Sequence, residues 1–338
     1  MVILRRRRRR PFVLSAILIL LSIHYNNGLS SSQSPTIRLV SWNCLAPMFC
    51  EFASPDKHPY SAKTCLPWSY REPRILERLA AYDPDVIFLQ EMQLDVWDSF
   101  LAKLPGFTGL LQERKNADFP VNAVLIRNEW GQVLRTESRS RALIVVVQTT
   151  LSDKPLYLAN VHLQAGFQED ETRYFQIRSL MKRLEHHQQE FGSSSSNNGD
   201  GDDDNDDESS KSEALIMAGD FNMVNNNDDV IYDLLTVGHL PDDVEEDLVA
   251  DTLPQPLLPL LPLRDAYRHC PPVVGPVLMT HRGGSVLDYI WLSDAVHIEE
   301  TWQSHPAAAV SLRRTWPSHT QPSDHLPVGA VLSLKKTS

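Results

Sequence analysis

The chain has 338 residues, 42% of them apolar, which is enough to enclose a full core and excludes a wholly disordered protein. Its formal net charge of -11 argues at first against a polyanionic substrate, but the charge is unevenly placed. Residues 5–10 are six arginines, seven carboxylates fall between Asp200 and Glu208, and six more lie between Asp242 and Asp251. The remaining body is near neutral, so its charge excludes no substrate class.

In chain order, residues 1–33 read as a leader. The arginine run is followed by an apolar stretch, residues 12–23, and then by Asn, Gly and Ser, the pattern of a signal peptide or signal-anchor. That reading places the protein in the secretory pathway or endomembrane system and predicts membrane association through the apolar segment. An organelle or the cytoplasm is the alternative. Residues 34–336 then form one domain. Of the four cysteines, Cys50 and Cys65 are the pair to test for a bridge in an oxidising compartment, and free buried thiols are the competing reading.

Residues 37–42 alternate apolar and polar at period two, predicting a half-buried strand. Residues 72–82 carry Ile75, Leu76 and Leu79 at helical spacing, and Pro84 ends them. The short apolar run 86–89 suits a fully buried strand, and further strands are predicted at 123–126, 143–148 and 156–161. The longest helix spans 169–190. Residues 192–212 form an acidic insertion without apolar periodicity, expected to be disordered. A strand at 214–218, a short helix at 230–237, an acidic and proline-rich surface segment at 241–262, and strands at 286–292 and 326–334 complete the chain. Strands interleaved with few helices give an α/β layered sandwich.

The informative pattern is where polar residues fall. Apolar strands end or begin at Trp42-Asn43, Gln90-Glu91, Asn160-Val161-His162-Leu163, Gly219-Asp220-Phe221-Asn222, Leu287-Asp288-Tyr289 and Ser323-Asp324-His325. Strand ends of a sandwich converge on a rim whose loops carry function. These residue types suit metal-assisted hydrolysis of a phosphodiester. Glu91 and Asn43 offer oxygen ligands to Mg2+ or Mn2+, and paired zinc ligands are missing. Asp220 suits the base that orients a water, and Asn222 a hydrogen bond to the nucleophile or phosphate. His162 and His325 suit donors to non-bridging oxygens, with Asp288 fixing the tautomer of His325 and keeping it cationic.

With these motifs in this order, the chain resembles the endonuclease/exonuclease/phosphatase superfamily from residue 37 to residue 334. The resemblance implies the DNase I-like fold, a four-layer α/β sandwich of two central mixed sheets flanked by helices. It also implies Mg2+ dependence, and carries Asp324 over as a metal-side or histidine-supporting acid. The strings Ser41-Trp42-Asn43-Cys44-Leu45-Ala46-Pro47, Trp68-Ser69-Tyr70-Arg71 and Pro322-Ser323-Asp324-His325-Leu326-Pro327, with Thr280 ahead of Leu287-Asp288-Tyr289, are similar to the nocturnin and poly(A) deadenylase branch. That branch removes poly(A) from its 3′ end or 2′-linked phosphate from nucleotides. The implied partner is a nucleic acid 3′ end or a nucleotide. On the substrate side, Arg173, Thr280 and Phe221 are expected, Arg173 and Gln176 also bracing the His162 loop. Trp68, Phe167, Phe221 and Trp291 are candidates to stack on a base, with core packing the stronger reading for Trp291. Residues 114–122 depart from the branch at a loop that borders the substrate. A sphingomyelinase-like lipid phosphodiesterase, a DNA endonuclease and an inactive nucleotide-binding module are the competing readings.

Overall fold

The structure, a computed structural model, describes residues 36–50, 57–114, 119–192, 213–223, 229–249, 259–273, 277, 279–302 and 312–335. The leader, all but the first residue of the 192–212 insertion, and parts of the 114–122 loop and the 241–262 segment lie outside these residues. The chain forms β1 (Thr36–Asn43), α1 (Pro47–Cys50), α2 (Trp68–Tyr82), β2 (Val86–Met92), α3 (Leu94–Leu101), β3 (Phe107–Leu111) and β4 (Val121–Arg127). It continues with β5 (Gly131–Ser138), β6 (Ala142–Thr149), β7 (Leu156–His162), α4 (Asp170–Gly192), β8 (Leu215–Asp220), α5 (Val230–Val237) and α6 (Asp242–Val249). It closes with β9 (Arg264–Asp265), α7 (Ala266–His269), β10 (Asp288–Leu292), β11 (Val296–Trp302) and β12 (Val328–Leu334).

Two six-stranded sheets result, in the orders β11-β12-β1-β2-β4-β3 and β5-β6-β7-β8-β10-β9. Each is mixed, because one parallel pair lies at its centre, β1 with β2 and β7 with β8, between antiparallel neighbours. Alternation of side chains along a strand gives each sheet two faces to bury. Ile37, Leu39, Val86 and Phe88 of the first sheet meet Leu156, Leu158, Ile216 and Ile290 of the second in the space between them. The outer face of the first sheet, with Val40, Trp42, Ile87 and Leu89, packs on Ile75 and Leu79 of α2 and Trp97 and Phe100 of α3. The outer face of the second, with Tyr157, Met217 and Trp291, packs on Ile177 and Leu180 of α4 and Ile231 of α5. The four layers expected from the sequence are therefore present.

Two expectations change. Strands β3, β5, β9 and β11 were not predicted, and they are the four sheet edges, where one side of the ladder meets solvent and no apolar run is needed. The segment expected as acidic surface contains α6, whose Val249 is buried and whose Glu245 pairs with Arg178 of α4 at 2.9 Å. Of the two readings of Cys50 and Cys65 the thiol one holds: Cys50 Sγ donates to the Leu66 carbonyl at 3.2 Å and Cys65 Sγ lies 3.6 Å from His319 Nδ1, and no bridge joins them. Among the described residues no helix is long and apolar enough to cross a membrane.

Candidate active site

The stripes that fill the inter-sheet core turn polar at one end. On that face β1 runs Ile37, Leu39, Ser41, Asn43, and β2 runs Val86, Phe88, Gln90. In the second sheet β7 runs Leu156, Leu158, Asn160, His162, β8 runs Ile216, Ala218, Asp220, and β10 enters through Asp288 before Ile290 and Leu292. Parallel pairing brings the C-terminal ends of β1 and β2 together, and those of β7 and β8, which is why the polar ends share a rim. Register then sets the row: His162 lies opposite Asp220, and Asp220 opposite Asp288. Cross-strand partners point to the same face, so the three side chains stand side by side.

Below this row a buried amide bridge joins the sheets. Gln90 Nε2 donates to Ser41 Oγ at 3.1 Å and to Asn160 Oδ1 at 2.7 Å, and Asn160 Nδ2 donates to the Leu89 and Ala123 carbonyls at 2.9 and 2.8 Å. Buried amides are costly unless bonded, so these contacts also fix the relative position of the two sheets at the rim.

Asp220 is the centre of the site. Its Oδ2 accepts from Asn43 Nδ2 at 3.0 Å, its Oδ1 accepts from Asn222 N at 3.0 Å, and the Nε2 atoms of His162 and His325 each stand 3.6 Å from Oδ2. Behind His325, Nδ1 donates to Asp288 Oδ2 at 2.8 Å. Burial opposes a charge on His325, but the Asp288, Asp220 and Asp324 carboxylates outweigh it and hold the imidazole well above the ordinary histidine range. Burial likewise pushes the Asp288 carboxyl up, while the His325 charge and its hydrogen bond pull it down. His325 is thus an imidazolium at neutral pH.

Glu91 joins from the other sheet. Regular alternation after Gln90 would turn it outward, yet its φ is 61° and the β2–β4 register shifts between Leu89 and Met92. Such a bulge re-aims a side chain. Glu91 Oε1 accepts from Asn43 Nδ2 at 3.1 Å and Oε2 from Ala46 N at 2.9 Å.

Of the residues expected from the sequence, Asn43, Glu91, His162, Asp220, Asn222, Asp288 and His325 are brought together by these contacts. Several of the expected roles are corrected. Phe221 is fully buried among Tyr289 and Trp291 on the outer face of the second sheet, because it alternates away from Asp220, so it offers no face to a substrate. Thr280 is buried and its Oγ1 accepts from Leu287 N and Asp288 N at 2.9 and 3.1 Å; it aims Asp288 instead of touching substrate. Arg173 is buried and donates to the Gln164 and Gly166 carbonyls at 2.9 Å each, which braces the loop after His162 and leaves it away from substrate. Asp324 faces basic side chains, with Arg282 Nε at 3.8 Å and His281 Nε2 at 3.9 Å, which favours the histidine-supporting alternative over the metal-side one. Burial raises the Asp324 carboxyl, but His325, His281 and Arg282 outweigh that and set it below its usual range. Asn43 also differs from a ligand: Leu45 N donates to its Oδ1 at 3.0 Å, so its NH2 is what faces the two carboxylates. Trp68 and Trp291 are core residues, whereas Phe167 is 85% exposed on the loop that Arg173 holds. His281, absent from the expected set, lies with its ring 4.7 Å from that of His325. It precedes no strand and belongs to no motif, so the sequence carries no signal for it.

The donor set fits a hard divalent cation such as Mg2+ or Mn2+. Glu91 and Asp220 bring carboxylate oxygens to one amide from opposite sheets. Ligand atoms of Asp220, Asp288 and His325 lie within 4.8 Å of one another. Glu91 is the residue that would hold such a cation, which leaves Asp220, on the same Asn43 amide, for the base.

Comparison with known proteins agrees with this geometry. The CCR4-Not complex 3′-5′-exoribonuclease subunit Ccr4 of Schizosaccharomyces pombe is 30% identical over 105 residues, 31% of this chain and 14% of that protein. Nocturnin of Rattus norvegicus is 36% identical over 81 residues, 23% of this chain and 18% of that protein. The chain therefore matches only a minor part of the length of these curated relatives. The crystal structure of ANGEL2, a 2′,3′-cyclic phosphatase, in complex with adenosine-2′,3′-vanadate shares the fold, with a TM-score of 0.69 at 19% identity over 89% of this chain and 96% of that one. The model of the Endonuclease/Exonuclease/phosphatase family matches residues 40–325, from within β1 to His325, and so takes in every strand end that builds the site. Because that match covers well over half of the chain and the whole rim, the chain belongs to the Endonuclease/Exonuclease/phosphatase family.

Proposed function

We propose that the protein is a divalent-metal-dependent hydrolase of phosphoester bonds, acting on RNA 3′ ends or adenine nucleotides. The observation that carries this reading is the Asp220 carboxylate held between two imidazole Nε2 atoms at 3.6 Å, one of them cationic. A phosphoryl centre under attack gains negative charge, and donors already aimed at that charge stabilise it without reorganisation. His325, kept protonated by Asp288, supplies such a donor. Asp220 Oδ2 is placed to accept a proton from an attacking water, and its Oδ1 is fixed by Asn222 N. A cation held by Glu91 would polarise the phosphoryl oxygen and lower the charge that the substrate brings to an acidic site. The exposed Phe167, on a loop tied down by Arg173, offers a stacking face and favours a substrate that carries a nucleobase.

The test is a side-by-side assay of the full chain on oligo(A), a dinucleotide phosphate and a choline phospholipid, with Mg2+ and with EDTA. Release of adenylate or inorganic phosphate that EDTA abolishes is expected, with Glu91→Gln and Asp220→Asn each lowering kcat by roughly a hundredfold or more. Turnover of the phospholipid alone, or a Glu91→Gln protein as fast as the parent, would remove the reading.

A further inference from the structure

His281 stands on a hairpin that the site itself pins. Thr280 N and His281 N both donate to the Ser285 carbonyl at 3.0 and 3.1 Å, and Gly284 N closes the turn on the His281 carbonyl at 2.9 Å. Arg282 N donates to the Asp324 carbonyl at 2.9 Å and Leu326 N to the Thr280 carbonyl at 2.7 Å, which straps the hairpin to the segment that carries His325. His281 and His325 face each other in an antiparallel bridge, so their side chains leave on the same side. The result is the 4.7 Å ring separation, at an interplanar angle of 46°.

The hydrogen bonds of His281 decide which nitrogen carries its proton. Gly283 N donates to Nδ1 at 3.1 Å, so in a neutral ring Nε2 is the N–H. The Asp324 Oδ2 atom stands 3.9 Å from that nitrogen, too long for a hydrogen bond. The ring is 26% exposed, against 7% for His325 beside it. Among the described residues this fixed donor has no hydrogen-bond acceptor, and its ring opens to solvent beside His325. Burial, with His325 beside it, pushes the His281 imidazole down to about 4, so the ring is neutral where a second cation would repel His325.

We propose that His281 touches the substrate, its Nε2–H donating to a non-bridging oxygen of the phosphate that His325 faces. This rests on the phosphoester reading of the site and adds a third imidazole to it. The ring donates as charge grows on that oxygen and takes no proton. His281→Phe keeps a flat ring against His325 and removes the donor, whereas the amide nitrogen of His281→Gln reaches a similar position. In the full chain H281F is expected to lower kcat/KM roughly ten- to a hundredfold, the range for one hydrogen bond to a charged group, and to weaken inhibition by inorganic phosphate, with H281Q recovering most of both. Parental kcat/KM and phosphate inhibition in H281F, or equal loss in H281F and H281Q, would overturn the assignment. Equilibrium binding of inorganic phosphate to the same three proteins separates this from the activity itself. If the parent turns over no substrate, weaker phosphate binding by H281F still supports the contact, and unchanged binding refutes it.

Discussion

Phe221 and Asp220 are neighbours in sequence and lie on opposite faces of the second sheet. Asp220 ends the inner stripe of β8, and Phe221, one residue on, packs edge-on against Tyr289 and Trp291. Burying a phenyl ring fully is worth ~1.5–3 kcal/mol, comparable with the ~1–3 kcal/mol that stacking on a base returns, so the ring gains nothing by leaving the core. Phe221→Ala is accordingly expected to cost ~3–5 kcal/mol in denaturant unfolding while leaving KM within twofold of the parent at temperatures where the protein is folded. A raised KM with parental stability would restore the stacking role. The gathering of Asp220, Asp288 and His325 at one rim was legible because residue type at a strand end marks them. The stacking expectation for Phe221 overlooked the period-two alternation that turns it away from Asp220. Glu91 was readable only in part: its type marked it, but the same alternation points it outward, and only the positive φ and bulge bring it in.

At the scale of elements, the sequence is informative where a strand is buried on both faces and mute where it is an edge. Strand β5 shows why. Its residues Gln132, Leu134, Arg135 and Thr136 are exposed, and Glu137 is held by ion pairs instead of apolar contact. Arg183 of α4 donates through Nε and Nη2 to the two Glu137 oxygens at 2.8 and 2.7 Å, and His187 Nε2 lies 3.0 Å from Oε2. No hydropathy pattern encodes such a latch, because its partners are 46 and 50 residues away. The Arg183 guanidinium, with His187 beside it, holds the Glu137 carboxyl below its ordinary value. A carboxyl depressed in the folded state adds stability above its unfolded pKa and loses it as pH falls through the folded value. Glu137→Gln should therefore be less stable than the parent by roughly 0.5–1 kcal/mol at pH 7, and the gap should close as urea titrations move from pH 5 to pH 3. A gap that stays constant over that range would show that the latch is not ionic.

For the whole molecule, the placement of charge matters more than its total. The rim holds Glu91, Asp220, Asp288 and Asp324 around one imidazolium, so a phosphate approaches an anionic centre until a cation is bound. The acidic stretch from Asp200 to Glu208 adds a field of the same sign. In the sequence it lies between α4 and β8, whose flanking residues come close: a Cβ added to Gly192 would lie 2.9 Å from Glu213 Oε1. A short linker can therefore replace residues 193–212 without parting the helix from the strand. That replacement removes seven carboxylates and one lysine. Exposed charges act over about 10 Å at 0.1 M salt and over about 30 Å at 0.01 M, so the effect must depend on ionic strength. The shortened protein is expected to show a several-fold lower KM for oligo(A) than the parent at low salt, converging with it near 0.5 M salt, at an unchanged kcat. A KM ratio indifferent to salt would mean that the insertion acts by contact, and a fall in kcat would tie it to the site instead of to the field around it.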